Sequence, residues 1–254
     1  MEPLPVLITI LHGGDIIPPE LVERTCITPH DLHDDSDAYT IEIFNLNNKV
    51  LQVIYSDIAR AFVDLNRSPE DRPPNNPDGV VKSSTCYNKP VYKTGLELNN
   101  SLTDKLLDRY YFPYHDRIKQ ACQGTDIRLG LDCHSMASIA PAIAPDSSVR
   151  PTICLGNARG NSCAFEIVEK LADCFRIVFY LDKREVSINE PFSGGYTTRT
   201  YGSNPLPWIQ VEFNRSLYLS EAWFDRKNLI IDKERLKELN HLFEKTLRLF
   251  FEDF

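Results

Sequence analysis

Several short apolar runs cross this chain almost without interruption by polar residues, and they constrain the fold more than any other feature. Such runs are typical of strands that are covered on both faces of a parallel or mixed sheet. We predict strands at Val6–Leu11, Val50–Tyr55, Ala59–Asp64, Ile127–Asp132, Thr152–Leu155, Ile177–Leu181 and Trp208–Phe213.

Amphipathic segments separate these runs. Apolar residues recur at three- and four-residue spacing over Lys233–Phe251, which predicts a helix there. A second helix is predicted over Cys163–Phe175, and a third begins at Asn100 and is expected to break or kink at Pro113. Strands alternating with helices predict a single three-layer α/β/α domain over residues 1–254, built on a mixed sheet.

One long segment, Ser68–Gly95, fits neither pattern because it is rich in proline and polar residues. A loop of this length inside a domain is usually either disordered or functional. Its position next to a candidate binding motif favours a rim or lid of a site. A solvated insertion is the alternative interpretation.

The bulk composition excludes several classes of protein. The formal net charge of -8 and the pI of about 5.3 lack the basic footprint of a nucleic-acid binder. No apolar run approaches the roughly 18 residues that cross a bilayer, and the N-terminus lacks the basic start of a signal peptide. The seven cysteines form no C-x-x-C pair. We therefore expect a cytoplasmic protein without nucleic-acid or membrane partners.

Two histidines follow or end predicted strands. His12 stands directly after the first strand and is followed by two glycines, and His134 closes the sequence DCH after another apolar run. Ligands of open α/β sheets bind at the carboxyl ends of strands, and imidazole is a common zinc ligand. Asp132 is expected to point away from His134 and to support the site only through its backbone. The alternative is a pair of ordinary hydrogen-bonded histidines.

The third metal ligand is expected to be a carboxylate. Catalytic zinc sites commonly use two histidines and one carboxylate, which leaves one position open. Asp15 lies three residues after His12, and Asp37 ends an acidic cluster that begins at Asp34. Such clusters are more often solvated surface, and the residues alone leave both aspartates open as ligands.

Two further motifs carry groups suited to binding a carboxylate and moving a proton. Asn66 and Arg67 close the sequence DLNR, and a guanidinium binds a planar carboxylate bidentately. The alternation over Ile209–Phe213 places Gln210 and Glu212 on the side opposite the core, where Glu212 could act as a general base. A surface salt bridge is the alternative role for Arg67.

Taken together, these motifs resemble the N-formylglutamate amidohydrolase family. The matching pieces LHGGDIIP, DLNR, FPYH, DCHSM, NEPFSGGY and IQVEFNRSLY occur in the order of that family. The resemblance implies a phosphorylase/hydrolase-like fold similar to zinc carboxypeptidases and aspartoacylase-type deacylases. It also implies a divalent metal, with Zn²⁺ as the expected ion, held by His12, His134 and either Asp15 or Asp37.

The same resemblance assigns the remaining roles. Asn66 and Arg67 become carboxylate binders, and Glu212 becomes the general base. Arg199 is a candidate for stabilising an oxyanion. Further candidate substrate contacts are Ser135, Gly194, Gly195 and Tyr196.

The activity implied by the resemblance is hydrolysis of the amide bond of an N-formyl amino acid, which releases formate and the amino acid. The substrate would thus be a small-molecule carboxylate. Two alternatives stay open: a hydrolase for another N-acyl amino acid or a peptide carboxyl end, and a non-catalytic carboxylate-binding relative.

Overall fold

A six-stranded mixed sheet forms the centre of the protein in a computed structural model, which describes residues 2–124, 126–139, 149–203 and 205–252. The strands are β1 (Leu4–Ile10), β2 (Val50–Tyr55), β3 (Leu129–Met136), β4 (Ile153–Gly156), β5 (Val186–Ile188) and β6 (Trp208–Asn214). Their order is β2-β1-β3-β6-β4-β5. Strands β2, β1, β3 and β6 are parallel, whereas β4 runs antiparallel to β6. The carboxyl ends of β1, β3 and β6 therefore meet at one edge.

Helices cover both faces of this sheet. They are α1 (Pro29–Asp35), α2 (Thr40–Phe44), α3 (Asn100–Leu106), α4 (Phe112–Cys122), α5 (Phe165–Phe179), α6 (Tyr196–Tyr201), α7 (Ser216–Leu219) and α8 (Lys233–Glu252), and a small hairpin adds β7 (Phe224–Asp225) and β8 (Ile230–Ile231). Apolar residues of α2, α5 and α8 pack with one face of the sheet, and those of α3, α4 and α6 pack with the other. The predicted three-layer α/β/α fold is confirmed.

Five of the predicted strands are confirmed as β1, β2, β3, β4 and β6, and two are wrong. Ala59–Asp64 is a buried turn, in which Phe62 N–H donates to Ala59 O at 3.0 Å. Residues 177–179 belong to α5, which ends at Phe179 and is followed by Tyr180 in the left-handed conformation. The apolar side chains of Ala59–Asp64 are buried, whereas in the second run Val178 is buried but Ile177 and Tyr180 are exposed. Apolarity alone does not separate a strand from a buried turn or a helix end.

The helix predictions hold for α8 and α5, although α5 begins at Phe165. Pro113 does not break its helix. A π-helical segment, Leu107–Tyr111, joins α3 to α4, and Pro113 lies in the first turn of α4. A proline near a helix start removes an N–H that needs no partner within the helix. The three helical segments therefore follow one another along the chain without a break at Pro113.

The segment Ser68–Gly95, all of which is described, contains turns but no named helix or strand. Its middle is nevertheless buried, with Val80, Val81 and Lys82 almost without solvent exposure. Burial of this part contradicts the interpretation as a purely solvated insertion. Within the ranges that the structure describes, no helix has the length and apolar character of a membrane span.

Candidate metal-binding and catalytic site

Three buried side chains converge at the edge where the parallel strands end: His12, Asp37 and His134. His12 follows β1, His134 lies on β3, and Asp37 stands between α1 and α2. The Asp37 N–H donates to His12 O at 3.0 Å, which fixes the loop against the end of β1. One potential ligand atom from each residue lies within 4.8 Å of the others.

Both imidazoles turn the same nitrogen towards Asp37. The distance to Asp37 Oδ2 is 3.3 Å from His12 Nδ1 and 3.0 Å from His134 Nδ1. The opposite nitrogens are held by carboxylates, since His12 Nε2 lies 2.7 Å from Asp64 Oδ1 and His134 Nε2 lies 3.0 Å from Asp132 Oδ1. The expectation for Asp132 was wrong: it stands two residues before His134, so both side chains emerge on the same face of β3.

These residues fit a divalent metal ion. His12 Nδ1 is buried and makes no hydrogen bond within the described part of the chain, although Asp37 is near. Two imidazole nitrogens and one carboxylate oxygen form a donor set typical of zinc. A carboxylate on the outer nitrogen of each ligating histidine is the usual means of fixing the tautomer and the ring. Asp15 does not join this set, because it is exposed and lines a separate depression beside Tyr39.

Arg215 fixes the orientation of Asp37. Its Nη2 donates to Asp37 Oδ1 at 3.0 Å and to Ser36 O at 2.6 Å, and its Nε donates to Ser135 Oγ at 3.1 Å. One carboxylate oxygen is thereby held by the guanidinium, and the other faces the two histidines. Ser135, a predicted substrate contact, lines the cavity and also supports this arginine.

The charges around the histidines reinforce one another. Burial opposes ionisation of Asp37, but its close contacts with the His12 and His134 imidazoles outweigh it and hold the pKa of Asp37 well below its usual value. Burial also disfavours a charged His134, yet Asp132 and Asp37 outweigh it and raise the pKa of that imidazole. The environment therefore stabilises positive charge between these side chains.

Glu212 on β6 is the register partner of His134 on the neighbouring strand. Its carboxylate accepts a 2.6 Å hydrogen bond from Gln210 Nε2. Burial is the main cause that raises the pKa of Glu212 to about 7, and the charge of Asp37 adds to it, while His134 and the Gln210 bond oppose the shift. A carboxyl group whose pKa is near 7 can both accept and deliver a proton at physiological pH.

A cavity of about 540 Å³ joins these groups. Among the predicted residues, it is lined by His12, Asp37, Asn66, Arg67, His134, Ser135, Gly194, Gly195 and Glu212. Arg199 and Tyr196 are not among its lining residues. Arg199 is exposed and donates to Gly194 O and Ser193 Oγ, while the Tyr196 ring packs against His115. Both lie on α6, which turns these side chains away from the cavity.

The DLNR motif contributes to both the histidines and the cavity. Asn66 Nδ2 lies 3.4 Å from His134 Nε2, and Asn66 Oδ1 accepts from the Thr197 N–H at 2.9 Å. The Arg67 side chain is 36% exposed and donates to Asp78 Oδ2 at 3.0 Å, with Asp64 at 3.9 Å. The guanidinium is thus held at the cavity wall by carboxylates of its own chain.

Sequence reasoning missed several residues that complete the site. Asp64 and Arg215 flank predicted residues within DLNR and IQVEFNR, and Gln210 shares a strand face with Glu212, so their positions carried a usable signal. Arg60 and Lys82, which contact Asp64, carried none, because their partners are distant in sequence or lie on a turn interpreted as a strand.

Comparisons with known proteins agree on one family. Residues 4–219 match the family model described as N-formylglutamate amidohydrolase. The N-formylglutamate deformylase of Pseudomonas putida is 26% identical over 233 residues, which cover 86% of this chain and 83% of that protein. The crystal structure of an N-formylglutamate amidohydrolase from Ralstonia eutropha superimposes with a TM-score of 0.78 at 20% identity, covering 98% of this chain and 94% of the other.

A second crystal structure, of a gene product from Agrobacterium tumefaciens, is also similar. Its TM-score is 0.68 at 17% identity, with 96% of this chain and 89% of that chain covered. At these identities the two crystal structures support the shared fold alone, whereas the family match rests on the sequence.

Proposed function

Because this chain belongs to the N-formylglutamate amidohydrolase family, we propose that it is a metal-dependent hydrolase of N-formylglutamate or a closely related N-acyl amino acid. The products would be formate, or another carboxylate, and the free amino acid. One observation supports this proposal most strongly: the cluster of His12, Asp37 and His134 shares a cavity with Glu212, a buried carboxyl group whose pKa is near neutrality.

His12, Asp37 and His134 would hold the divalent ion, and Zn²⁺ is the expected metal for two imidazoles and one carboxylate. When bound, such an ion supplies Lewis-acid polarisation and lowers the pKa of water. Asp64 and Asp132 would fix the two rings through their outer nitrogens.

Glu212 would perform the proton transfers. As water adds to the acyl carbon, its carboxylate takes one proton, and it then delivers that proton to the amine nitrogen as the C–N bond breaks. The raised pKa of Glu212 suits both steps, because neither form is strongly disfavoured near pH 7.

Arg67 and Asn66 would position the substrate. A guanidinium and an amide on the wall of the same cavity suit the carboxylate of the amino-acid part. Holding that carboxylate places the scissile amide against Glu212 and converts part of the binding energy into orientation.

Metal analysis tests the first part of the proposal. The purified protein, reconstituted with zinc, should hold about one ion per chain, as a single three-ligand site requires. A His12→Ala, His134→Ala double variant should lose the ion. A matched His30→Ala, His241→Ala variant should keep it, because both of these histidines are exposed. A wild-type protein that takes up no metal would contradict the assignment.

A substrate panel tests the second part. N-formylglutamate, N-acetylglutamate and N-formyl-leucine should be compared with and without added zinc, with release of the free amino acid as the measurement. We expect zinc-dependent turnover, fastest with N-formylglutamate. Faster turnover of another acyl group would reassign the substrate, and measurable binding without any turnover would identify a non-catalytic relative.

A further inference from the structure

Gln210 links the backbone of the glycine loop to Glu212. The Gly195 N–H donates to Gln210 Oε1 at 2.5 Å, and Gln210 Nε2 donates to Glu212 Oε1 at 2.6 Å. A backbone N–H can only donate, so the amide oxygen must face Gly195 and the amide nitrogen must face Glu212. The buried amide therefore has one satisfied orientation, and that orientation depends on where the Gly195 peptide lies.

On its other side, Gly195 lies against Asn66, a predicted substrate contact. A Cβ atom at this position would lie 2.3 Å from Asn66 Nδ2 and 2.7 Å from Asn66 Cγ. The backbone angles of Gly195, φ -81° and ψ -166°, are open to any residue. Close approach to Asn66, and not an unusual backbone conformation, therefore explains the glycine.

These contacts form a continuous path from Asn66 through the Gly195 peptide and Gln210 to Glu212. We propose that Gln210 is a positioning residue that couples the placement of the glycine loop to the placement of the Glu212 carboxylate. This inference rests on the proposed function, since it takes Glu212 as the general base and Asn66 as a substrate contact. It implies that a substrate seated against Asn66 also fixes the base.

Two substitutions of Gln210 separate its bonds. Gln210→Met keeps the approximate shape but removes both bonds, and Gln210→Glu keeps an acceptor for the Gly195 N–H while it loses the donor to Glu212. We expect both variants to lower kcat about 10- to 100-fold, since small displacements of a catalytic group cost this much. KM and the metal content should stay near those of the wild type. Gln210→Glu also places a second carboxyl group beside Glu212, so a loss of kcat with KM unchanged and with the pH profile of kcat shifted to higher pH assigns the effect to the contact with Glu212.

Gly195→Ala tests the path from its other end. Its methyl group would push Asn66 aside, so we expect KM to rise and kcat to fall together. Gly124→Ala is the matched control, because its Cβ would lie 3.2 Å from a single carbonyl oxygen at a helix end and does not line the cavity. The melting temperature of each variant shows whether folding is retained.

Glu212→Gln, measured in parallel, distinguishes the failure of this inference from that of the proposed function. If Glu212→Gln is inactive but Gln210→Met keeps kcat within about two-fold of the wild type, the inference is overturned alone. If Glu212→Gln turns over normally, the proposed base and this inference both fail. Should Gln210→Met unfold, the Gln210→Glu variant decides between the outcomes, because it keeps the loop bond.

Discussion

The two sides of the cavity treat buried carboxyl groups in opposite ways. On the β1 side, burial opposes ionisation of Asp64, but Arg60 and His12 outweigh it and hold the pKa of Asp64 well below its usual value. On the β6 side, Glu212 receives its hydrogen bond from the neutral amide of Gln210, and burial raises its pKa to about 7. One environment maintains a permanent anion, and the other permits proton exchange. Environments that separate the pKa values of similar groups are a means of assigning their roles.

The charged side extends from the histidines to the surface. Lys82 is fully buried and lies 2.6 Å from Asp78 Oδ1, 3.1 Å from Asp35 Oδ2 and 3.9 Å from Asp64 Oδ2. Asp78 in turn accepts from Arg67. The segment Ser68–Gly95 thus supplies the cation that joins the carboxylate supporting His12 to the one supporting Arg67.

Removing the proton acceptor on the neutral side should have the largest effect. We expect Glu212→Gln to retain its metal and to lower kcat by about 10²- to 10⁴-fold, the usual contribution of general acid–base catalysis. Glu244→Gln, a change of another poorly exposed glutamate on the distant helix α8, is the control and should leave kcat unchanged. Normal turnover by Glu212→Gln would show that the β6 side of the cavity does not supply the general base.

Breaking the charged side at Lys82 should cost stability. Lys82→Met leaves buried carboxylates without their shared cation, and we expect the free energy of unfolding to fall by about 3–5 kcal/mol. Lys49→Met is the matched control, because its side chain is 43% exposed and its ion pair with Glu244 should be worth less than about 1 kcal/mol. Denaturant unfolding of both variants is the measurement. Equal losses of unfolding free energy would show that the buried network around Lys82 stabilises the fold no more than the exposed ion pair of Lys49 does.

A smaller change on the charged side concerns the orientation of Asp37. Lysine cannot reproduce the fork with which Arg215 binds Asp37, Ser36 and Ser135. We expect Arg215→Lys to weaken metal binding by about 10- to 100-fold, measured by competition with a chelator. Arg226→Lys is the control, since Arg226 forks the carboxylate of Asp34 at the exposed surface. An unchanged metal affinity in Arg215→Lys would contradict the role of the fork.

The sequence was sufficient for five of the six strands of the sheet, all but β5, and for the residues near their carboxyl ends. His12, His134 and Glu212 could be placed at one edge because parallel strands bring their carboxyl ends together. The structure then selected Asp37 over Asp15 as the carboxylate beside the histidines. That choice depends on how the loop after α1 folds back onto His12, which local spacing does not encode.

The charged network was the least predictable part of the site. Lys82 contacts Asp35, which is 47 residues away along the chain, so no periodicity or motif joins them. Arg199 shows the opposite error: a cation near a glycine motif was expected in the site, but its helix places it outside. Such side-chain positions follow from tertiary packing rather than from local pattern.

His115 extends the comparison to a buried base with neutral partners. Its Nδ1 lies 2.8 Å from Tyr201 Oη and its Nε2 lies 3.0 Å from Leu65 O, and burial is the main cause that lowers its pKa from 6.5 to about 4. Like Glu212, it is shifted towards its neutral form. Because the folded pKa lies below the unfolded value, the unfolded chain binds the extra proton, and stability present above pH 6.5 is lost as the pH falls towards 4.

Between pH 7 and pH 5.5, we expect this single group to cost the wild type about 1 kcal/mol of unfolding free energy. His115→Gln keeps a donor for Leu65 O but does not titrate, so its stability should fall by that much less over the same interval. Urea unfolding of both proteins at the two pH values, at equal metal content, measures the difference. Parallel losses would mean that His115 takes up its proton in the folded protein as easily as in the unfolded chain. Burial among uncharged partners would then not be enough to keep a titratable group neutral. The explanation of the raised pKa of Glu212 by burial would lose its support as well.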